Sequence, residues 1–380
     1  MTEMHGSCDE QFAPVRDAFA RNFELGLEVG ASVAVTVDGE FVVDLWAGHT
    51  DEKRTQPWER DTIINVWSTT KTMTALCALV LADRGELDFE SPVSRYWPEF
   101  AAGGKARVEV RHLMGHTAGL PAWNPPVTEA DLYDWEKSTA MLAAQEPWWE
   151  PGTMSGYHAI SQGHLIGEVV RRITGQTLGR FFANEIAGPL GADFHIGLPA
   201  EHDHRTARVI PPPPLPLDLL PHDSIAYRTF TGPFLCAETS WENAWRRAEI
   251  PAANGQGNAR SVAAVQSLVA CGGSLGGVTL LSGKGCDCIF DVQAVGTDLV
   301  LGVPLRLGMG YGIVGDEMPL GPSAKACFWG GWGGSIVVVD LDRRMCIAYV
   351  MNRMGEGTVG DERGAGIVIG AYAALAGVTR

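Results

Sequence analysis

The sequence predicts a two-domain α/β (α+β) fold, in which helices flank one antiparallel sheet and a mainly helical domain is inserted into the chain. Strand-like runs lie near both ends of the chain, and the long segment between them shows helical periodicity. We expect residues 1–85 and 240–380 to form a discontinuous sheet domain. Residues 86–239 are expected to form the inserted helical domain.

The chain opens with a predicted helix followed by two strands. Residues 33–37 and 41–46 are rich in β-forming side chains and flank Asp38 and Gly39, a dipeptide that suits a tight hairpin turn. Before them, apolar side chains recur at the three- and four-residue spacing of an amphipathic helix: Phe12, Val15, Phe19 and Phe23.

The end of the chain supplies further strands and a closing helix. Residues 336–340 and 346–351 are β-branched or apolar runs separated by a charged segment, and residues 367–375 are predicted to be helical. We therefore expect both ends to complete a single antiparallel sheet.

The middle of the chain has helical spacing and frequent breakers. Leu165, Val169 and Ile173 follow a helical period. The prolines of 211–214 lack backbone donors and fix φ, so this run is predicted to be a stiff connecting loop.

The composition is that of a folded, acidic protein. The chain has 380 residues, 46% hydrophobic and 19% charged, which is enough to bury one large core or two moderate ones. A formal net charge of -16 repels phosphate backbones and anionic lipids, so no nucleic-acid or membrane partner is expected. No export signal or long apolar run is present, so we expect a cytoplasmic location, with a homo-oligomer left open.

No metal ion or organic cofactor is expected. The eight cysteines are scattered and are predicted to be mostly reduced, buried thiols. Cys286 and Cys288 lack the spacing and the second ligand pair of a zinc site. A possible metal-binding segment, His202, Asp203 and His204, has no further ligand at the sequence spacing typical of a metal site. It is predicted to form a solvated turn.

Ser68 and Lys71 are predicted to lie one helical turn apart. An apolar periodic stretch follows them, which places Ser68 near a helix start and Lys71 on the same face. A serine needs a neighbouring base to become a nucleophile, and a desolvated lysine can lose its proton near neutral pH. By itself the spacing is weak, because an N-capping serine and a solvated lysine also satisfy it.

A competing serine motif at residues 272–276 fits the Gly-x-Ser-x-Gly turn of α/β-hydrolases. That mechanism needs a histidine after the serine in chain order, and the last histidine is His222. The chain holds 46 glycines, so such a match arises easily by chance. We therefore expect Ser274 to be unreactive.

Three further motifs follow Ser68 in order, at residues 114–121 (MGHTAGLP), 150–157 (EPGTMSGY) and 328–335 (FWGGWGGS). With these motifs the chain resembles the serine β-lactamase and penicillin-binding-protein superfamily. The resemblance is greatest to the class C β-lactamase-like esterases called family VIII. It covers residues 31–354 and implies a β-lactamase-like fold.

The resemblance implies that Ser68 is the acylated nucleophile, Lys71 its helper and Tyr157 the tyrosine of the second motif. In that role the Tyr157 hydroxyl, its proton affinity lowered by the lysine ammonium, accepts the serine proton and returns it to the leaving alcohol. Alone, Tyr157 would be interpreted as a partly buried aromatic residue with a satisfied hydroxyl. Beside Ser68 and Lys71 we favour catalysis.

The third motif has Trp329, Gly330 and Gly331 where the family usually has Lys-Thr-Gly or His-Thr-Gly. The resemblance implies an oxyanion hole made by the backbone N–H groups of Ser68 and Trp332. The glycines are expected to allow close approach of strand and substrate.

Two departures from the family pattern bear on the substrate. Trp329 offers no cation for a β-lactam carboxylate, and the segment after Tyr157 lacks the asparagine that bonds an acylamino group. Neutral esters are therefore expected, with Trp123, Trp148 and Trp149 either forming apolar walls or packing in the core.

The predicted function is a serine carboxylesterase acting on small neutral esters. The predicted substrate-binding residues are Trp329, Gly330, Gly331, His158 and Trp123. Alternatives on the same fold are a peptidase or amidase for D-amino acid derivatives, a weak β-lactamase and an acyltransferase. A non-catalytic penicillin-binding module is the alternative from another class, disfavoured because no export signal is present.

Overall fold

The structure is a computed structural model that describes residues 2–376. Its strands are β1 (Met4–Cys8), β2 (Gly30–Val37), β3 (Glu40–Gly48), β4 (Ile64–Asn65), β5 (Gln256–Gly257), β6 (Ser274–Leu275), β7 (Val278–Thr279), β8 (Ala294–Thr297), β9 (Pro304–Leu307), β10 (Gly312–Ile313), β11 (Ala326–Gly330), β12 (Ile336–Asp340) and β13 (Met345–Met351).

The α-helices lie before, between and after these strands. They are α1 (Ala13–Glu24), α2 (Thr70–Asp83), α3 (Val110–Met114), α4 (Glu129–Tyr133), α5 (Trp135–Ala144), α6 (Ser161–Thr174), α7 (Leu178–Phe182), α8 (Ile225–Phe230), α9 (Asn243–Arg247), α10 (Ala259–Ala270), α11 (Gly283–Asp287) and α12 (Glu362–Ala376).

The largest sheet combines strands from both ends of the chain, as predicted. It has nine antiparallel strands in the order β1-β3-β2-β13-β12-β11-β10-β9-β8. The two ends meet where β2 pairs with β13 and Val33 lies opposite Tyr349. Asp38 and Gly39 form the β2–β3 turn with φ of 52° and 85°, the left-handed values that this kind of tight hairpin requires.

Helices cover both faces of this sheet. Thr36 of β2 hydrogen bonds to Ser267 of α10, with 2.6 Å between the hydroxyl oxygens. Val339 lies in register with Thr36 across β13, and the next residue, Asp340, accepts a hydrogen bond from Tyr372 of α12. Because neighbours along a strand point to opposite faces, α10 and α12 lie on opposite sides of the sheet.

Helix α2 runs through the interior beside the sheet. Every side chain from Thr70 to Leu81 is buried, and the helix packs against α6, α7 and α11. Lys71 is therefore held in an environment of low polarity, where a charge is costly.

Between residues 86 and 239 the assigned regular elements are helices, α3 to α8 among them, and the Pro211–Pro214 run lies outside helix and strand. The predicted division into two domains at residues 85 and 240 stays a prediction. Across residues 2–376, no helix has both the length and the apolar character needed to cross a membrane.

Candidate active site

Ser68 lies in a short 3₁₀ turn, Trp67–Thr69, that leads directly into α2. The sequence prediction of a serine near a helix start is therefore confirmed. Trp67 has φ of 50°, a left-handed value that is costly for a bulky residue and marks stored backbone strain beside Ser68. The Ser68 side chain is 8% exposed, so it is accessible only from the adjoining cavity.

Lys71 is buried one turn further along, with its amine surrounded by oxygen atoms. Its Nζ lies 3.3 Å from Ser68 Oγ, 2.7 Å from the carbonyl oxygen of Ala159 and 3.0 Å from that of Ala252. Burial holds the pKa of Lys71 well below its usual value. A neutral amine has two N–H groups for the two carbonyls, which leaves its lone pair for the Ser68 hydroxyl.

Tyr157 reaches Ser68 from the other side. Its hydroxyl donates to Ser68 Oγ at 2.5 Å. Burial raises the pKa of Tyr157, and the charge of Asp298 adds to this, outweighing the hydrogen bond with Ser68 and the nearby Trp329 indole. The predicted lowering of its proton affinity by Lys71 is therefore wrong: Lys71 Nζ lies over the ring, 4.6 Å from its centroid, and burial disfavours both charged forms.

The backbone around Tyr157 is held by buried polar side chains. Asp298 accepts a hydrogen bond from Tyr157 N at 2.9 Å, and His116 accepts one from His158 N at 3.1 Å. Burial lowers the pKa of His158 to about 3, and its neutral ring accepts from Leu120 N. Asp298 was not predicted as a site residue, because a single aspartate 141 residues away carries no local motif.

Two backbone N–H groups lie free beside the serine. Within the described chain, neither Ser68 N nor Trp332 N donates to a protein acceptor. Ser335 ties the glycine-rich loop to the serine turn by donating to Val66 O at 2.9 Å. A Cβ on Gly331 would clash with the carbonyl oxygen of Val66, so glycine is needed for the loop to approach the serine turn this closely.

The cavity above Ser68 is small and apolar. It has a volume of about 90 Å³. Tyr157 and Trp332 line it beside Ser68. The remaining side is formed mainly by residues 211–235, which we call the strap. Its lining members are Leu215, Leu217, Thr229, Phe230, Pro233, Phe234 and Leu235.

A second cavity of about 260 Å³ lies against the other side of the strap. Leu217, Phe234 and Trp332 border both cavities. Only the proline run of the strap was predicted from the sequence, as a connecting loop. The signal that could have located the rest is a set of large apolar residues, such as Leu219, outside any periodic segment.

Several predicted substrate-binding residues do not line the cavity. Trp123 is fully buried and donates its indole N–H to Ser138 O. Trp329 is 1% exposed and lies behind Tyr157, with the ring centroids 5.7 Å apart. His158 is fully buried, as described above.

The other aromatic residues and glycines named in the sequence analysis also lie outside the lining. Trp148 stacks under Arg228, and Trp149 bonds to Met154 O. A Cβ on Gly330 would meet the backbone of residues 359–360, which makes this glycine a packing requirement. The prediction that these residues contact the substrate is not supported, because large aromatic residues near motifs fit a core as well as a pocket.

The competing serine is remote from this arrangement. Ser274 lies in β6, is exposed and shares a hydrogen bond with Thr279 at 2.9 Å between hydroxyl oxygens. No His, Lys or carboxylate partner of the Ser274 hydroxyl occurs among residues 2–376. Its surroundings therefore provide no base.

A family model described as beta-lactamase matches residues 19–371. The chain belongs to the beta-lactamase family. It is 36% identical to the esterase/beta-lactamase LipL of Mycobacterium tuberculosis, over 92% of this chain and 83% of that protein.

Solved structures extend the comparison. A family VIII carboxylesterase is 44% identical, with a TM-score of 0.92 over 98% of this chain and 100% of that one. A penicillin-binding-protein homologue from Caulobacter crescentus is 37% identical, also with a TM-score of 0.92, over 98% and 100%. The predicted β-lactamase-like fold and the resemblance to family VIII are thereby confirmed.

Proposed function

We propose that this protein hydrolyses small, neutral carboxylic esters through an acyl-enzyme on Ser68. As the esterases among its relatives indicate, the chain is a serine hydrolase acting on carboxylic esters. The proposal adds the size and charge of the ester and the residues that move the protons. The cytoplasmic location and the homo-oligomer stay predictions of the sequence.

The absence of charge from the cavity lining carries the substrate proposal. Of the described residues that border the cavity, none is acidic or basic, and the only titratable side chain apart from Ser68 is the phenol of Tyr157. An anionic substrate would lose its hydration there without gaining an ion pair, which is costly. The expected preference for neutral esters therefore depends on the uncharged cavity lining and not on Trp329, because the Trp329 indole lies behind the cavity.

The volume of the cavity supports a small acyl or alcohol group. An apolar cavity of about 150 Å³ is enough to bind benzene. The cavity beside Ser68 measures about 90 Å³ and suits a group of acetyl to butyryl size. The second cavity, about 260 Å³, offers apolar contacts to a larger remainder of the ester where Leu217 and Phe234 border both spaces.

The short distance between Lys71 Nζ and Ser68 Oγ and the lowered pKa of Lys71 support Lys71 as the first base. In the proposed acylation, Ser68 gives its proton to the neutral Lys71 amine while its oxygen attacks the ester carbonyl carbon. The bond to the alcohol then breaks, and the leaving oxygen takes the proton of Tyr157. The proton on Lys71 restores the phenol, so the Lys71–Tyr157 pair is unchanged at the end of the step.

The oxyanion formed in this step would accept hydrogen bonds from Ser68 N and Trp332 N. Among residues 2–376 neither N–H has a protein acceptor, and fixed donors of this kind favour negative charge that develops in a transition state. In deacylation, water attacks the acyl carbon and passes a proton to the same pair, which returns one to Ser68 Oγ. The products are the carboxylic acid and the free enzyme.

The substrate proposal is tested by adding a cation to the cavity. Thr358 lines it and is half-buried, so a lysine there can stay solvated while facing the substrate. We expect the wild type to prefer nitrophenyl butyrate over a chromogenic cephalosporin, and Thr358→Lys to narrow the ratio of kcat/KM values by about ten- to a hundred-fold, the worth of a charged hydrogen bond.

The matched control is Thr279→Lys, which adds the same charge at an exposed position away from the cavity. It should leave the ratio near that of the wild type. Efficient cephalosporin turnover by the wild type would show that a cation outside the lining binds the carboxylate, and the neutral-ester proposal would be wrong.

A further inference from the structure

The loop that carries Trp332 is held from behind by a buried guanidinium. The carbonyl oxygen of Gly333 accepts hydrogen bonds from Arg363 Nη2 at 2.6 Å and from Gly355 N at 2.8 Å. Trp332 immediately precedes Gly333 in the chain. The Arg363 contact is therefore one residue from the N–H that we place in the oxyanion hole.

Arg363 is itself fixed in one orientation. It is 4% exposed, and its Nη1 donates to the carbonyl oxygens of Leu27 and Arg353 at 3.2 and 2.8 Å. Two carboxyl groups contact it: Glu28, whose pKa burial raises to about 8, lies 3.2 Å from Nη1, and Asp361 lies 2.6 Å from Nη2. A planar guanidinium with this many partners holds its neighbours in a defined geometry.

The loop needs such support because of its composition. Gly333 and Gly334 have φ of 91° and 125°, left-handed values that glycine adopts most readily. Glycine also has the most backbone freedom of any residue, so the segment has little stiffness of its own. A Cβ on Gly334 would lie 2.6 Å from Arg363 Nη2, which shows how closely the guanidinium is packed against the loop.

We infer that Arg363 is a positioning residue that fixes the Trp332 N–H for the oxyanion, acting through the Gly333 carbonyl. Arg363 does not border the catalytic cavity and touches no reacting atom. The inference rests on the proposed function, since it assumes that Trp332 N binds the oxyanion. Fixed donors are effective because they need no reorganisation during the reaction, and a loosened loop loses that advantage.

Arg363→Lys tests the inference, because lysine keeps the positive charge beside Glu28 but loses the fork of donors. With nitrophenyl butyrate we expect kcat to fall about ten- to a hundred-fold, below the roughly 10²–10³ for losing an oxyanion donor outright, with KM within about two-fold. Affinity for butylboronic acid, whose tetrahedral adduct places an oxygen in the oxyanion hole, should fall by a similar factor.

The matched control is Arg344→Lys, at an exposed arginine paired with Asp38 in the β2–β3 turn. It should leave kcat and boronic acid affinity within about two-fold of the wild type. If Arg363→Lys is folded and its two values match those of this control, Arg363 has only a structural role and the inference is overturned.

A second pair of variants decides the matter if Arg363→Lys does not fold. Asp361→Asn keeps the shape of the side chain but weakens its charged hydrogen bond with Arg363. Asp38→Asn is the corresponding change at an exposed arginine–aspartate pair. We expect a smaller drop, about three- to ten-fold, in kcat and in boronic acid affinity for Asp361→Asn alone. Equal values in the two variants would overturn the inference.

The wild type separates this inference from the proposed function. If a fluorophosphonate forms no adduct on wild-type Ser68, the proposed function fails and the inference fails with it. If the adduct forms and esters are hydrolysed, but Arg363→Lys or Asp361→Asn behaves like its control, only the role of Arg363 is wrong.

Discussion

The two walls of the catalytic cavity are built in different ways. One wall carries Ser68, Lys71 and Tyr157, which are 8%, 2% and 4% exposed and are held by α2 and by buried polar partners. The other wall is the strap, which consists mainly of loops around the short helix α8 and in which Leu219 and Phe234 are 82% and 62% exposed. The reacting groups thus lie on tightly packed backbone, and the strap that contacts the substrate is largely irregular and more exposed.

Because the two walls are built differently, we expect them to control different properties of the reaction. The buried wall sets the positions and pKa values of the reacting groups, so changes there should act on rate with every substrate. Changes in the strap alter the shape and apolar area of the cavity, so they should act on the choice between substrates. Mutations in each wall test this division.

The largest effect is expected at the nucleophile. Ser68→Ala should lower ester hydrolysis by roughly four or more orders of magnitude, because no other side chain near Lys71 can form the acyl-enzyme. Ser274→Ala should retain most activity, since its hydroxyl has only Thr279 as a partner. Initial rates measure the loss, and mass spectrometry should place a fluorophosphonate adduct on the Ser68 peptide. An adduct on Ser274 would overturn the mechanism.

The next largest effect is expected in the base pair. Lys71→Met and Tyr157→Phe should each lower kcat by roughly 10²–10⁴, with strongly non-additive effects in the double variant because the two residues act as one unit, in which the proton taken up by Lys71 replaces the proton given up by Tyr157. Circular dichroism should show that each variant is folded. A double-variant loss equal to the product of the single losses would contradict the coupled action of the pair.

The pH profile distinguishes the two members of the pair. Protonated Lys71 has no lone pair, so kcat/KM should fall as the pH falls through its lowered pKa and should recover as the pH rises. Tyr157→Phe should keep this acid limb, because the raised pKa of Tyr157 leaves it protonated throughout that range. Loss of the limb in Tyr157→Phe would instead assign it to the tyrosine.

The smallest effect is expected in the strap. Phe234→Ala should keep kcat with nitrophenyl butyrate within about two-fold, while the octanoate-to-butyrate ratio of kcat/KM rises by roughly ten-fold as both cavities widen. Ile369→Ala removes a comparably exposed side chain, 69%, from α12 and should change neither value. A large loss of kcat with butyrate in Phe234→Ala would show that the two walls are not separable.

The parts of the fold that could be predicted have local signals. The β2–β3 turn follows from Asp38 and Gly39, and β12 was predicted at its observed bounds from a β-branched run. Helix α12 begins five residues before the predicted start at Ile367. Its first turn contains Arg363 and Gly364, whose burial depends on distant contacts and leaves no apolar period to detect.

The misplaced residues show the limit of reasoning from neighbours in sequence. Trp329 lies in the third motif and His158 directly follows the second, and the structure places Trp329 behind Tyr157 and neither residue in the cavity lining. Strand alternation and helix packing decide which side of the backbone faces the substrate. Proximity to a motif along the chain does not determine that direction.

The sequence by itself determined the family resemblance, the antiparallel sheet and the serine with a lysine one turn later, because these depend on residue type and short spacing. The tertiary structure decided which pKa values rise and fall, because burial depends on the whole fold. Burial lowers the pKa of Lys71 and raises the pKa of Tyr157, and the shift at Tyr157 is the reverse of the expected one. It also decided that the strap, about 150 residues from Ser68 in sequence, closes the cavity, because packing across such a distance has no local signal.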